Sequence, residues 1–265
     1  MHFRRGVLGV LVLLIVALTG CAVDIGQDPL APSSARTISV RQFSSAPGQT
    51  LRVIDETQLR TGDLLFSSSI GLTSLGIRFF SASAVSHVAL YTGEGHVAEA
   101  VGAGVHIITL KEAMAHSDKL FALRMPGLTE KEAKLISQFA TDKSGSRYNF
   151  SGIAGMAPFM LTSKLCSLTP FSSDFRHQCL ATLANVQLAP PERPANNRYF
   201  CSEFVTAAYA YAGHPLTSAA SGWVSPADLL HMREGDVTSL KPLHRLRYVG
   251  HLKKGIYLSA RSYFQ

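Results

Sequence analysis

Ser86-His87-Val88-Ala89-Leu90-Tyr91-Thr92 runs through Gly93-Glu94-Gly95 into His96-Val97-Ala98-Glu99-Ala100-Val101. Two β-rich runs on either side of a glycine turn read as antiparallel strands. A second turn, Gly102-Ala103-Gly104, leads to a third strand from Val105 to Leu110, so the stretch is a β-meander. Helical patterns surround it, which makes the chain α+β, with an antiparallel sheet packed against helices. A three-residue loop over Gly93 to Gly95 would pair Thr92 with His96 and set His87 opposite Val101. His87, Ala89 and Tyr91 then share a face with Val97, Glu99 and Val101, while Val88, Leu90, Ala98 and Ala100 form a wholly apolar face. His87 and Glu99 become diagonal neighbours within hydrogen-bond reach. A slip of one residue would put them on opposite sides of the sheet.

Working outward, the globular part begins near Arg52, with a short helix from Ile54 to Leu59 and a turn-plus-strand at Thr61-Gly62-Asp63-Leu64-Leu65-Phe66. Ile70 to Phe80 is apolar and reads equally as loop or helix. After the meander come a short helix over Thr109 to Ala115 and a strand over Leu120 to Met125. Thr129-Glu130-Lys131-Glu132 is a capping box that opens a helix to about Asp142. Gly145 to Phe150 is a turn into an aromatic segment. Residues 151–195 hold apolar helical stretches such as Ile153 to Leu161, a cysteine pair and three prolines, and read as an insertion beside the core. Ser225-Pro226-Ala227-Asp228 caps a further helix. Terminal strands are expected at Leu246 to Leu252 and Gly255 to Ser259.

Between the insertion and that capped helix stands Arg198-Tyr199-Phe200-Cys201-Ser202-Glu203-Phe204-Val205. Phe204, Val205, Ala208 and Ala212 recur at helical spacing, and Gly213 and Pro215 end the pattern, so Cys201 opens a helix of about three turns. A thiol in the first turn sits at the positive end of the helix dipole, which favours thiolate, and the unpaired backbone N–H groups there suit an oxyanion. The plain alternative is a buried structural cysteine. A nucleophilic cysteine needs a base and a group to orient that base. His87 and Glu99 supply those types. The histidines carry no His-Glu-x-x-His spacing, so neither a metal nor any other cofactor is expected.

The N-terminus is a separate object. Arg4 and Arg5 precede an apolar run from Val7 to Leu18, short for a membrane span but right for a signal-peptide core. Leu18-Thr19-Gly20-Cys21 resembles a bacterial lipobox, which implies removal of residues 1–20, lipidation of Cys21 and a membrane anchor. Ala22 in place of Asp implies the outer membrane, facing the periplasm. Residues 21–50, rich in Ser, Pro, Ala and Gly, then read as a flexible tether, and 51–265 as the folded domain. The chain is 46% hydrophobic and 16% charged, which fits a globular core and excludes a disordered protein. Loss of the leader lowers the formal charge from +7 to +5. No Lys/Arg cluster or nucleic-acid motif is present, so nucleic acid is not an expected partner. Cys166 and Cys179 remain as a disulfide pair for an oxidising compartment; the alternative is that one of them bridges to Cys201.

Together, Thr61 to Phe66, Ser86 to Tyr91, Val97-Ala98-Glu99-Ala100 and Tyr199 to Val205 resemble the circularly permuted NlpC-type, papain-like cysteine hydrolases, in particular the YiiX/YaeF-like group. The likeness spans about residues 51 to 260, and the 151–195 insertion departs from it. It implies Cys201 as nucleophile, His87 as base and Glu99 as the orienting residue, with Asp63 and Ser202 as structural positions. Tyr148 is expected to line the cleft. The implied activity is hydrolysis of amide bonds, in cell-wall peptides given the address. Acyl transfer to or from a lipid through the same thiol, and a non-catalytic envelope-binding lipoprotein, are the alternatives.

Overall fold

The computed structural model describes residues 23–26, 37–42, 44–46, 51–68, 85–166, 173–187 and 197–255. The leader, Cys21, the stretch from Ile70 to Phe80, the prolines at 190, 191 and 194, and the last expected strand beyond Gly255 lie outside these residues.

The chain forms β1 (Val23–Gly26), β2 (Thr37–Val40), β3 (Leu64–Ser68), β4 (His87–Gly93), β5 (His96–Val101) and β6 (Gly104–Thr109). Then come α1 (Leu110–Ala115), β7 (Lys119–Arg124), α2 (Glu130–Lys143), β8 (Arg147–Tyr148), α3 (Phe150–Cys166) and α4 (Ser173–Gln187). β9 (Arg198–Tyr199), α5 (Cys201–Tyr211), α6 (Pro226–His231) and β10 (Arg247–Lys253) complete the order. Where a helix was expected from Ile54 to Leu59, a single 3-10 turn, Glu56–Gln58, is capped by Asp55.

One antiparallel sheet of order β10-β7-β3-β4-β5-β6 organises the fold. The meander is its β4-β5-β6 half. Leu90 stands opposite Ala98 and Tyr91 opposite Val97, so the strand bodies keep the expected register. The turn differs. Gly93, not Thr92, pairs with His96, leaving a two-residue turn and a bulge. Glu94 (φ 51°) and Gly95 (φ 72°) both adopt the left-handed conformation that lets a two-residue turn follow the strand twist. The bulge absorbs the extra residue, and the ladder returns to frame below it.

Alternation divides the buried side chains between two layers. Val88, Leu90, Ala98 and Ala100 join Ile136 and Phe139 of α2 and Phe204, Val205 and Ala208 of α5 in the main core. Ala89, Tyr91 and Val97 face a second cluster with Leu65, Ala122, and Leu110 and Ala113 of α1. Both faces are covered, so β3 is buried throughout and β7 at all but its two end residues. Asp63 acts structurally: its carboxylate receives a two-pronged bond from Arg124 at 2.7 Å and accepts from the Arg60 N–H at 2.8 Å.

Residues 151–195 contribute α3 and α4, an antiparallel helical pair. Cys166 and Cys179 are disulfide-bonded between the two, and Cys201 remains a free thiol. Met156, Phe159, Leu180 and Ala184 of the pair pack on Phe200, the residue before Cys201.

The described parts of 21–50 differ from a free tether. β1 pairs with β2, Asp24 is ion-paired to Arg176, and the fully buried Arg233 donates to the carbonyls of Gln42, Ser44 and Ser45. A buried guanidinium must be satisfied, and these backbone carbonyls satisfy it. Composition misled here because the partners are supplied from the far end of the chain.

Candidate active site

His87 is the first residue of β4, beside Ser67 at the end of β3. The neighbouring Ser86 is tied to β3 through its N–H, which donates to the Ser67 carbonyl at 3.0 Å. Glu99 occupies the middle of β5, on the same side of the sheet by alternation. The two meet as the register requires, with His87 Nε2 3.1 Å from Glu99 Oε2. The Glu99 side chain is only 7% exposed, against 19% for His87. His116, just after α1, brings its Nε2 to 3.7 Å from the same carboxylate oxygen, and His106 stands opposite Glu99 in β6. Burial raises the Glu99 pKa, but the hydrogen bond from His87 and the charges of His87, His116 and His106 outweigh it, so the carboxyl is held below its ordinary range.

Cys201 heads α5 and is 1% exposed. Its side chain is hydrogen-bonded to His87. With Nε2 engaged by Glu99, Nδ1 is the ring nitrogen left available to the thiol. Burial alone would lower the His87 pKa. The hydrogen bonds to Cys201 and Glu99, with the electrostatic attraction of each, reverse that and push it up to about 10. The imidazolium is therefore the form that this pocket favours, held between Cys201 and the Glu99 carboxylate.

The helix start is arranged around the same point. Phe200 donates its N–H to Glu203 Oε2 at 3.2 Å, and Asn149 Nδ2 donates to that oxygen at 3.0 Å. Burial is the larger influence on Glu203 and raises its pKa despite both bonds. The N–H groups of Cys201, Ser202 and Glu203 belong to the first turn, where an α-helix has no internal acceptors for them. The Ser202 hydroxyl is buried without a hydrogen-bond partner among the described residues.

Tyr148 lies beside this turn, where burial first, then the charges of Cys201 and Glu203, raise its phenol pKa. Its ring stacks edge-on with Phe150 at 4.8 Å. The structure thus gathers Cys201, His87, Glu99 and Tyr148 in one place, while the Cys166–Cys179 bond sits behind Phe200 in the helical pair. Among the described residues no group of three or more His, Cys, Asp or Glu is placed to hold a metal ion.

Sequence reasoning missed His116, His106, Asn149 and the Glu203 cap. Phe200 has no capping oxygen, so Glu203 three residues later lacked the Ser/Thr-x-x-Glu signature that marks a capping box in sequence. The two histidines had no signal either, since they meet Glu99 only through the packing of α1 and the register of β6.

The profile of the family described as permuted papain-like amidase enzyme, YaeF/YiiX, C92, matches residues 58–154 of this chain. That segment carries His87 and Glu99. A protein of Escherichia coli (strain K12) named "Probable lipoprotein peptidase YaeF" is 54% identical over 249 residues, covering 92% of this chain and 91% of its own. The crystal structure of the metalloprotein YiiX from Escherichia coli O157:H7 is 24% identical and covers 61% of this chain and 71% of its own, with a TM-score of 0.41.

Proposed function

The chain belongs to the permuted papain-like amidase family of YaeF and YiiX and is a cysteine peptidase or amidase; from that premise we propose that Cys201, His87 and Glu99 carry out the reaction, on cell-wall peptides, in a lipid-anchored envelope enzyme. The observation that carries this reading is the His87 imidazole held between the Cys201 thiol and the Glu99 carboxylate, 3.1 Å from the latter.

In the proposed cycle the Cys201 thiolate attacks the carbonyl carbon of the scissile amide, and the C–N bond becomes part of a tetrahedral intermediate. Its oxyanion is received by first-turn N–H groups of α5, whose partial positive charge is already in position. His87 then gives its proton to the leaving amine, and the C–N bond breaks. Glu99 keeps Nε2 engaged, so the imidazole presents Nδ1 to the thiol and cannot rotate away. Water, deprotonated by the now neutral His87, cleaves the thioester and regenerates the pair. Tyr148 and Phe150 form an aromatic wall at the helix start against which a substrate side chain would rest.

Cys21 as the lipid-bearing residue is supported by the lipobox and by the lipoprotein name of the E. coli relative. Outer-membrane sorting rests on Ala22, and the cell-wall substrate on the address. The test is release of soluble fragments from purified cell wall. Wild type should release them and Cys201→Ala should not; equal release by both would refute the proposal.

A second reading, acyl transfer from a lipid to the Cys201 thiol, is favoured by the apolar cluster of Met156, Phe159 and Phe200 next to that thiol. An adduct of fatty-acyl mass on Cys201, absent from Cys201→Ser, would select it.

A further inference from the structure

The N-terminal segment and the helical pair meet at one ion pair. Asp24 in β1 accepts through both carboxylate oxygens from Arg176 Nη2, at 2.7 and 2.6 Å. Arg176 is fully buried in α4 and is steadied by its Nε, which donates to the Thr238 carbonyl at 2.9 Å. Downstream, Gln42 N–H donates to Asp236 Oδ1 at 2.9 Å, and Arg233 collects the carbonyls of residues 42, 44 and 45. The chain is therefore held to the domain at Asp24 and again at Gln42, Ser44 and Ser45. Cys21 precedes Asp24 by three residues, and three residues of extended chain reach at most about 11 Å. A group attached to Cys21 is thus tethered within that reach of the Asp24–Arg176 pair.

The surface it meets there is unusual for this protein. Asp174 at the start of α4 is exposed, but from Phe175 to Gln187 the exposed side chains, Gln178, Thr182 and Val186 among them, include no acid and no Lys or Arg. Phe175 is 52% exposed and Val186 79%. On α3, Ser151, Ala154 and Pro158 are exposed, and Lys164 is the one charged residue in the helix. A helix pair facing water ordinarily carries charges on its outer side.

We propose that the outer face of the α3–α4 pair lies on the lipid bilayer, with the Asp24–Arg176 pair fastening the acylated N-terminus so that anchor and face engage the same membrane. This rests on the reading of Cys21 as the lipid-bearing residue. Acyl chains and a weakly apolar face are each modest membrane signals, and fastened together they act as one. Phe200 packs directly on the inner side of the pair, so Cys201 stands one helix layer, roughly 10 Å, above the lipid. Amides close to the membrane surface are then the ones within reach of the thiol.

The experiment uses the full-length acylated protein reconstituted into phosphatidylethanolamine/phosphatidylglycerol vesicles containing brominated lipid, which quenches tryptophan on contact. Phe175→Trp and Val186→Trp are compared with Tyr211→Trp, a 52% exposed position at the far end of α5, with wild type giving the Trp223 background. Quenching should be at least about twofold stronger at 175 and 186 than at 211. Asp24→Asn should remove most of that excess while its circular dichroism and its rate on a small soluble amide stay at the wild-type level. Equal quenching at all three positions, or an excess indifferent to Asp24→Asn, would overturn the proposal. The mass of the purified protein separates the two readings: no acyl group on Cys21 brings down the anchor reading and this inference with it. An acylated protein without the excess brings down this inference alone.

Discussion

The β4–β5 hairpin and the α3–α4 pair both reach the start of α5, and they are held by different means. β4 and β5 lie inside a six-stranded sheet, paired on both sides and covered on both faces. The distance between His87 and Glu99 is thus set by a hydrogen-bonded register that cannot drift without dismantling the core. The helical pair touches the domain through a cluster around Phe200 and through Arg176 and His177, which both bond Thr238, and a disulfide braces its own two helices. The comparison teaches a division of labour: atoms that must hold ångström-level geometry sit on the ladder, and the surface that adapts to surroundings sits on a separable layer.

Removing the chemistry is the largest expected effect. Cys201→Ala or His87→Ala should cut kcat/KM on an amide substrate by at least ~10³-fold, while Phe159→Ala in the helical pair should keep it within about tenfold. Comparable losses from both regions would break the comparison.

Stability should divide in the same way. Leu90→Ala, at a fully buried position of β4, should cost about 2–5 kcal/mol and lower the melting of the whole domain. Replacing Cys166 and Cys179 by Ser should cost up to about 3 kcal/mol. The accompanying rise in hydrogen exchange should be confined to α3 and α4, with β4 and β5 amides still protected; loss of protection in the sheet would show that the pair is not separable.

A finer probe is the pH dependence of the His87–Glu99 contact, read as the difference in melting temperature between wild type and Glu99→Gln. The raised His87 pKa gives a contribution fully present below its ordinary 6.5 and lost as pH rises through about 10. The lowered Glu99 pKa gives one present above its ordinary 4.5 and lost as pH falls through the lowered value. The wild-type advantage should therefore peak between 4.5 and 6.5 and disappear at both extremes. A flat difference would mean that the two groups do not share charge.

The smallest effect lies at the β4–β5 turn. Glu94 holds φ at 51°, where a side chain is strained, so Glu94→Gly should stabilise by about 0.5–1 kcal/mol in denaturant titration. Destabilisation would argue against the two-residue turn.

By itself the sequence determined the local objects: the meander, the capping box at Thr129, the N-cap at Ser225, the helix opened by Cys201, and the pairing frame that sets His87 diagonal to Glu99. Each depends on residues within a few positions of one another, where periodicity and turn chemistry act directly. Tertiary structure alone decided the rest. It extended the meander into a six-stranded sheet, brought His116 and His106 to Glu99, put Asn149 on Glu203, and docked Asp24, Gln42, Ser44 and Ser45 through arginines some 150 to 190 positions away. Such contacts leave no local pattern, because a buried guanidinium or carboxylate takes whichever partner the packed chain delivers, however distant in sequence.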